Sequence, residues 1–130
     1  MEPLHALVDR ISTKFLPSAD SNCNYFINEI PRELSIGSNG NWVASVIDGM
    51  IASAIVNTKN TCIRFAAKKY GHLLVLELRE ANRPKAQPDI VHLQEIKCMA
   101  EQIGGCLYIG MPEEERIMMS FSFPYFPLAA

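Results

Sequence analysis

The sequence predicts an α+β fold, a two-layer α/β sandwich with about three helices packed on one face of a mixed, mainly antiparallel sheet. Apolar residues recur at helical spacing in three segments, and two pairs of short apolar runs predict β-hairpins. The helical segments precede or separate the strand pairs, which favours helices gathered on one side of the sheet. The predicted hairpins pair residues 61–67 with 73–79 and residues 106–109 with 116–123.

The N-terminal part is predicted as a helix followed by a strand. The helix over residues 3–15 follows from an apolar stripe that repeats every three or four residues, and Pro17 is expected to end it. Asn24–Ile30 alternates in polarity and reads as a strand. Leu34–Ile36 is predicted as a short extended segment, and the Gly-Ser-Asn-Gly run at 37–40 as a turn.

The remaining helices have recognisable boundaries. The second helix is predicted to begin at Asn41 and to carry its apolar face to Ile55. A turn near Tyr70-Gly71 joins the strands of the first hairpin. Asp89 is a predicted N-cap of the third helix, which Gly104-Gly105 is expected to stop before the second hairpin.

Composition predicts one globular domain over residues 1–130. Apolar residues make up 48% and charged residues 20% of the chain, enough for a core without disulfides. The net charge of −2 and the lack of a basic stripe argue against nucleic-acid partners. The longest mainly apolar stretch, Val43–Val56, contains Asp48 and is shorter than the ~20 residues of a membrane span. We therefore expect no membrane partner and, because the N-terminus carries no signal pattern, a cytoplasmic location.

The titratable and nucleophilic side chains show no catalytic pattern. The four cysteines (Cys23, Cys62, Cys98 and Cys106) form no CxxC pair, so they are expected to be buried thiols and not zinc ligands. Of the three histidines, His5 is expected to be exposed on the first helix, and His72 and His92 have no nucleophile–base arrangement beside them. We predict no catalytic residue.

Three stretches, in this order, match the motifs of one family. Asn39–Thr58 follows the pattern D-x-x-x-L-x-Q-V-L-x-N-L-L-x-N-A-I-K-Y-T, and Leu73–Pro84 stands at the place of v-x-V-x-D-x-G-x-G. Ile90–Pro124, with Gly104-Gly105 followed by CLYIG, is similar to the family's C-terminal part. The chain thus resembles, over nearly its whole length, the ATP-binding domain of two-component sensor histidine kinases, of the GHKL superfamily. The resemblance implies the histidine-kinase ATPase (Bergerat) fold.

Within that resemblance, the residues at the phosphate site differ from the family pattern. Aligned through Ala54, Gly49 and Ser53 stand where the family has two asparagines, the second of which ligates the Mg²⁺ that bridges the ATP phosphates. Val56 replaces the family lysine beside the phosphates, whereas Thr58 matches the family. The resemblance therefore implies nucleotide-binding positions without most of their phosphate-binding side chains.

The adenine site and the ATP lid are altered as well. Glu80 replaces the aspartate that accepts a hydrogen bond from adenine, and Asn82 and Pro84 replace two glycines. Only residues 85–89 separate Pro84 from the third helix, and no G-x-G-x-G occurs in the chain. His5 lacks the H-E-x-x-x-P surroundings of the family's phosphoacceptor. We therefore predict a single domain without an ATP lid or a phosphoacceptor hairpin.

Three hypotheses follow. The preferred one is a catalytically inactive, degenerate domain that needs no cofactor and binds proteins in two-component or anti-sigma-type signalling. Its expected partner is a response regulator, a kinase or a sigma-factor-type regulator, and a homodimer is left open. The second is a divergent histidine-kinase-type transferase in which Ser53, Thr58 and Glu80 form a minimal site for ATP and Mg²⁺. The third is a binder of another small ligand in a pocket bounded by Ser53, Glu80 and Asn82.

Overall fold

A computed structural model of the chain describes residues 3–37, 40–56, 60–80, 90–109 and 117–124. These residues form four helices and five strands. The helices are α1 (Leu4–Lys14), α2 (Leu16–Ser21), α3 (Gly40–Val56) and α4 (Ile90–Gln102). The strands are β1 (Tyr25–Asn28), β2 (Cys62–Tyr70), β3 (Leu73–Glu80), β4 (Cys106–Ile109) and β5 (Ile117–Pro124). The predicted fold class, an α+β two-layer sandwich, is confirmed.

The five strands form one mixed sheet in the order β1-β2-β3-β5-β4. Only β1 pairs in parallel, with β2, and the other three neighbouring pairs are antiparallel. β5 therefore lies between β3 and β4, so the C-terminal hairpin adds to the first hairpin through its second strand. The register between β3 and β5 shifts at Leu78/Arg79, which marks a bulge.

One hydrophobic core lies between the helices and the sheet. The helices contribute the buried stripes that their 3.6-residue periodicity predicts, and the strands contribute alternate residues. Phe65 of β2 stacks against Phe26 of β1 with ring centroids 5.6 Å apart, and Phe121 and Phe123 of β5 lie 4.7 Å apart. The largest fully buried side chains of the strands are Ile63, Phe65, Leu74, Leu76, Leu78, Phe121 and Phe123.

The structure corrects the prediction at several boundaries. α1 ends at Lys14, before Pro17 as predicted, but Pro17 also lies in the first turn of a further helix, α2, where its missing N–H is not needed. β2 continues to Tyr70, three residues beyond the predicted Ala67, because Lys68, Lys69 and Tyr70 pair with β3. Leu34–Ile36 forms no strand, although Ser35 makes an isolated antiparallel bridge to Pro3.

The C-terminal end of α4 follows the predicted glycine stop. Gly104 has φ +76°, a conformation that glycine adopts without the cost of a β-carbon. The N–H of Gly104 donates to the Glu101 carbonyl at 3.0 Å, and the N–H of Gly105 donates to the Ala100 carbonyl at 2.9 Å. This pair of bonds is a Schellman motif, and it turns the chain directly into β4.

Candidate functional site

The candidate nucleotide positions Gly49 and Ser53 both lie on α3. This helix packs between α1 and α4 and buries one apolar face against the sheet. The Lys14 ammonium of α1 contacts the Asp48 carboxylate of α3, so α1 is joined to α3 by an ion pair as well as by the core. The buried apolar residues of α3 are Val43, Val46, Ile47, Met50, Ile51, Ala54 and Ile55.

Gly49 of α3 faces the side chain of Ile96 of α4. An ideal β-carbon built on Gly49 would lie 2.8 Å from Cγ1 and 3.0 Å from Cδ1 of Ile96. Ile96 is itself buried, with 1% of its surface exposed. A carbon–carbon contact below 3.0 Å is repulsive, so even alanine at Gly49 would require Ile96 to move. An asparagine at this position would therefore clash with Ile96 already at its β-carbon.

Ser53 lies one turn after Gly49, so the two residues share a face of α3. Only 3% of its surface is exposed, which makes Ser53 one of the few buried polar residues among those described. A Mg²⁺ ligand must present its oxygen to the ion and to the water that completes the coordination shell. In this conformation the Ser53 hydroxyl is not presented to solvent.

The other predicted site residues are placed less completely. Glu80 is the last residue of β3 and pairs with Ile63 of β2 in the sheet register. Thr58 and Asn82 lie outside the described residues. The structure thus brings Gly49 and Ser53 together on one helix face and puts Glu80 at the end of a strand. A nucleotide-binding role for any of the five residues stays a prediction.

A polar cluster at the start of α1 was not predicted from the sequence. Asn28 of β1 donates through Nδ2 to the His5 carbonyl at 3.0 Å and to Asp9 Oδ1 at 2.9 Å. Its Oδ1 accepts from the Ile30 N–H at 3.1 Å, so a single amide links α1 to the end of β1. The exposed His5 expected from the sequence is wrong: 12% of its side chain is exposed, and Nδ1 lies 3.5 Å from Asp9 Oδ2.

The cysteines are free thiols, as predicted, but three of them are not buried. Cys62 is buried, whereas Cys23, Cys98 and Cys106 are exposed, which corrects the expectation of four buried thiols. Within the described ranges, no group of three or more His, Cys, Asp or Glu side chains is placed to hold a metal ion. In the same part of the chain, no helix combines the length and the apolar character needed to cross a membrane.

Comparisons with known proteins identify the fold but no close relative. No protein-family model matches the sequence. No curated protein matches it either. Solved structures do match, at low sequence identity. The histidine kinase AdeS of Acinetobacter baumannii superposes with a TM-score of 0.80 at 10% identity, over 95% of this chain and 65% of the AdeS chain. The present chain therefore spans about two thirds of that structure.

Two structures of the histidine kinase ThkA are also similar. The nucleotide-free catalytic domain of ThkA superposes with a TM-score of 0.75 at 13% identity, over 96% of this chain and 95% of that domain. ThkA in complex with the response regulator protein TrrA superposes with a TM-score of 0.73 at 13% identity, over 98% of this chain and 42% of that chain. As the sequence motifs predicted, this chain has the fold of the catalytic, ATP-binding domains of histidine kinases.

Proposed function

We propose that this chain is a degenerate histidine-kinase-like domain that does not turn over ATP and acts by binding proteins in two-component or anti-sigma-type signalling. The observation that carries the proposal is the contact between Gly49 and Ile96. A β-carbon at Gly49, which aligns with the family's first asparagine, would lie 2.8 Å from Ile96 Cγ1 of α4, and this clash supports the loss of that site. Replacing a ligand side chain by glycine would by itself leave an empty space beside the helix. Here the buried side chain of Ile96 lies against Gly49 instead.

The neighbouring positions support the same proposal. Ser53 is shorter than the asparagine of the family pattern and is buried. Its hydroxyl would have to become exposed before it could bind Mg²⁺. Val56 provides no positive charge for a triphosphate. Each of these changes removes an interaction with phosphate or metal, and none of them disturbs the apolar face of α3.

The short connection between β3 and α4 is a third line of support. β3 ends at Glu80 and α4 begins at Ile90, so nine residues join them. The family places its long, glycine-rich lid in this connection. Without a lid, bound phosphates would remain in contact with water and salt, which weakens every charge–charge interaction with them.

Protein binding is proposed from the fold and from one of the similar structures. ThkA, which has this fold in its catalytic domain, is found in complex with the response regulator protein TrrA. We propose a partner of this class for the present chain: a response regulator, a kinase or a sigma-factor-type regulator. The cytoplasmic location expected from the sequence fits such a role and stays a prediction.

Calorimetric titration with ATP and with ADP, each in the presence of Mg²⁺, tests directly whether the chain has lost nucleotide binding. We expect no binding heat for either nucleotide. Micromolar affinity that falls on Ser53→Ala or Glu80→Ala would contradict the proposal and support a divergent ATP-binding protein. Asp48→Ala is the matched control on α3, because Asp48 pairs with Lys14 and not with a nucleotide position.

The partner role needs a separate experiment. The chain, immobilised through a tag, is titrated with purified response regulators and sigma factors of the source organism by surface plasmon resonance. Saturable binding of one of them supports the proposal. If neither these proteins nor ATP binds, a screen of nucleosides and small metabolites tests the third hypothesis, a small-molecule binder. A negative screen would then point to a protein partner of another class.

A further inference from the structure

The side of the sheet that faces away from the helices carries a positively charged surface, although the chain as a whole is acidic. We call this side the outer face; it is formed by the strand residues that alternate with those of the core. On the hairpin of β2 and β3 it presents the cations Arg64, Lys68 and Arg79 against one carboxylate, Glu77. The net charge of the chain is −2, so this surface is opposite in sign to the rest of the molecule.

Two of these cations stand directly opposite each other. Arg64 of β2 and Arg79 of β3 are register partners on antiparallel strands, which places their β-carbons about 5 Å apart. Their side chains are 53% and 47% exposed, so water reaches both. Like charges in this arrangement destabilise a sheet. A negatively charged group bound between the two guanidinium groups would remove that cost.

The nearby carboxylates compensate these cations only in part. Glu77 Oε1 accepts from Nε and Nη2 of Arg79, at 3.3 and 2.7 Å, and so occupies one edge of that guanidinium. Arg64 Nη1 lies 4.0 Å from Glu29 Oε1, which is too far for a hydrogen bond. Among the residues that the structure describes, Arg79 Nη1 and the Lys68 ammonium have no hydrogen-bond or ion-pair partner. The outer face therefore keeps donors and positive charge available for a ligand.

Exposed tyrosines stand at both ends of the cationic surface. Tyr25 of β1 lies one row before Arg64, and Tyr70 lies one row after Lys68 at the end of β2. Both tyrosines are 59% exposed. Ala66 lies between the rows of the two cations. Along β2, the surface thus runs aromatic, cationic, small, cationic and aromatic, and tyrosine and arginine are among the residue types that dominate protein–protein binding.

An extended acidic peptide segment matches this order. Arg64 and Lys68 are four residues apart on one strand, a separation of ~13 Å, and two carboxylates four residues apart in an extended chain have the same spacing. Apolar residues at the two ends of the segment would cover the tyrosines. A nucleic acid fits less well, because it carries a negative charge at every nucleotide and would bring a phosphate against Glu77.

We propose that the outer face of the hairpin is the docking surface for an acidic, extended segment of a protein partner. Arg64 and Arg79 together hold one carboxylate of the segment, Lys68 holds a second, and Tyr25 and Tyr70 contact apolar residues on either side. The inference rests on the proposed function, because it assumes a protein partner. It deepens that function by assigning the surface and the chemistry through which the partner is recognised.

An NMR titration of the ¹⁵N-labelled chain with a synthetic peptide tests the proposal. The probe is the capped nonapeptide LSESASESL, and the matched control peptide has glutamine in place of both glutamates. At low salt we expect saturable shifts of the outer-face amides with a dissociation constant of about 0.1–1 mM. The glutamine peptide should bind about fivefold more weakly or not at all. Added NaCl should weaken binding of the acidic peptide, because salt screens exposed charges.

Variants of the chain separate the surface from the fold. Arg64→Gln and Arg79→Gln combined should weaken peptide binding by about fivefold or more. Because the substitutions remove two opposed cations, urea unfolding should show no loss of stability. Lys97→Gln is the matched control, since it removes an exposed cation from α4 on the other side of the molecule, and it should leave peptide binding unchanged.

Several results would overturn the proposal: no saturable shifts, shifts confined to the helices, or equal binding of the two peptides. Tighter binding of a short oligo-dT than of the acidic peptide would assign the outer face to nucleic acid instead. The titration uses no regulator, so its outcome is separable from that of the proposed function. A regulator that binds the double arginine variant with unchanged affinity leaves the proposed function standing and overturns this surface. Peptide binding at the outer face, when no regulator binds, supports the surface and contradicts the proposed class of partner.

Discussion

Gly49 of α3 lies against the side chain of Ile96 of α4, so close that no β-carbon fits between them without a shift. A β-carbon on Gly49 would lie 2.8 Å from Ile96 Cγ1, so the contact exists only because residue 49 has no side chain. The two residues are far apart in sequence and belong to different helices. Their contact joins α3 to α4 at the position where the family pattern has an asparagine.

Replacing this glycine should therefore destabilise the fold. We expect Gly49→Asn to lower the free energy of unfolding by about 1–3 kcal/mol, the usual cost of overpacking a core. The measurement is urea unfolding followed by circular dichroism. In an Ile96→Ala background the added cost should shrink, because the truncated side chain leaves room for the asparagine, and a double-mutant cycle reports that coupling. Additive effects in the cycle would contradict the contact.

Gly105, in the turn after α4, is constrained mainly by backbone atoms. A β-carbon on Gly105 would lie 2.5 Å from the Ser122 carbonyl oxygen of β5 and 3.2 Å from the Ala100 carbonyl oxygen. Backbone cannot rotate away as a side chain can, so Gly105→Ala should cost about 2–3 kcal/mol. Thermal and urea unfolding of the purified variant provide the measurement.

Gly71 is the matched control for this prediction. It lies in the β2–β3 turn at φ +60°, and nothing approaches within 4 Å of a β-carbon built there. Asparagine tolerates this conformation better than other side chains, so Gly71→Asn should change stability by less than about 1 kcal/mol. Equal losses for Gly105→Ala and Gly71→Asn would mean that the approach of β5 to Gly105 is not as described.

Cys23 is a position where a substitution should stabilise the protein. Its φ of 57° is left-handed, and it follows α2 at the place where helices most often end in glycine. The Cys23 N–H donates to the Asp20 carbonyl at 3.0 Å, and the Asn24 N–H donates to the Ala19 carbonyl at 2.8 Å. Because glycine adopts this conformation without steric cost, Cys23→Gly should raise the free energy of unfolding by up to about 1 kcal/mol.

Cys98→Ser is the comparison for that substitution, since Cys98 lies in the middle of α4 and is exposed. Serine there should leave stability unchanged within about 0.5 kcal/mol. A loss of stability in Cys23→Gly would indicate that the thiol makes a contact more valuable than the relief of backbone strain.

The exposure of the four thiols can be measured directly. Cys23, Cys98 and Cys106 are exposed, and Cys62 is buried at the start of β2. Alkylation of the native protein followed by peptide mass spectrometry should modify the first three rapidly. Cys62 should react only at the rate of unfolding, and addition of urea should make it as reactive as the others. Rapid native labelling of Cys62 would contradict the packing of β2.

Much of the fold could be predicted because its signals are local. The apolar stripes of α1, α3 and α4 and the glycine stop at Gly104 each depend on residues within one or two helical turns. What could not be predicted depends on neighbours distant in sequence. α2 continues past Pro17, and β2 runs on to Tyr70 only because β3 is there to accept its hydrogen bonds.

The candidate site divides in the same way. The sequence by itself determined the order and spacing of the motifs, and the resemblance they carry predicts that Gly49 and Ser53 stand where the family has asparagines. Only the tertiary structure decided that Ile96 lies against Gly49, that Ser53 is buried, and that four exposed apolar side chains share the side of the sheet that faces away from the helices. The physical reason is that periodicity specifies which face of an element is apolar, whereas the packing of distant elements specifies what that face meets.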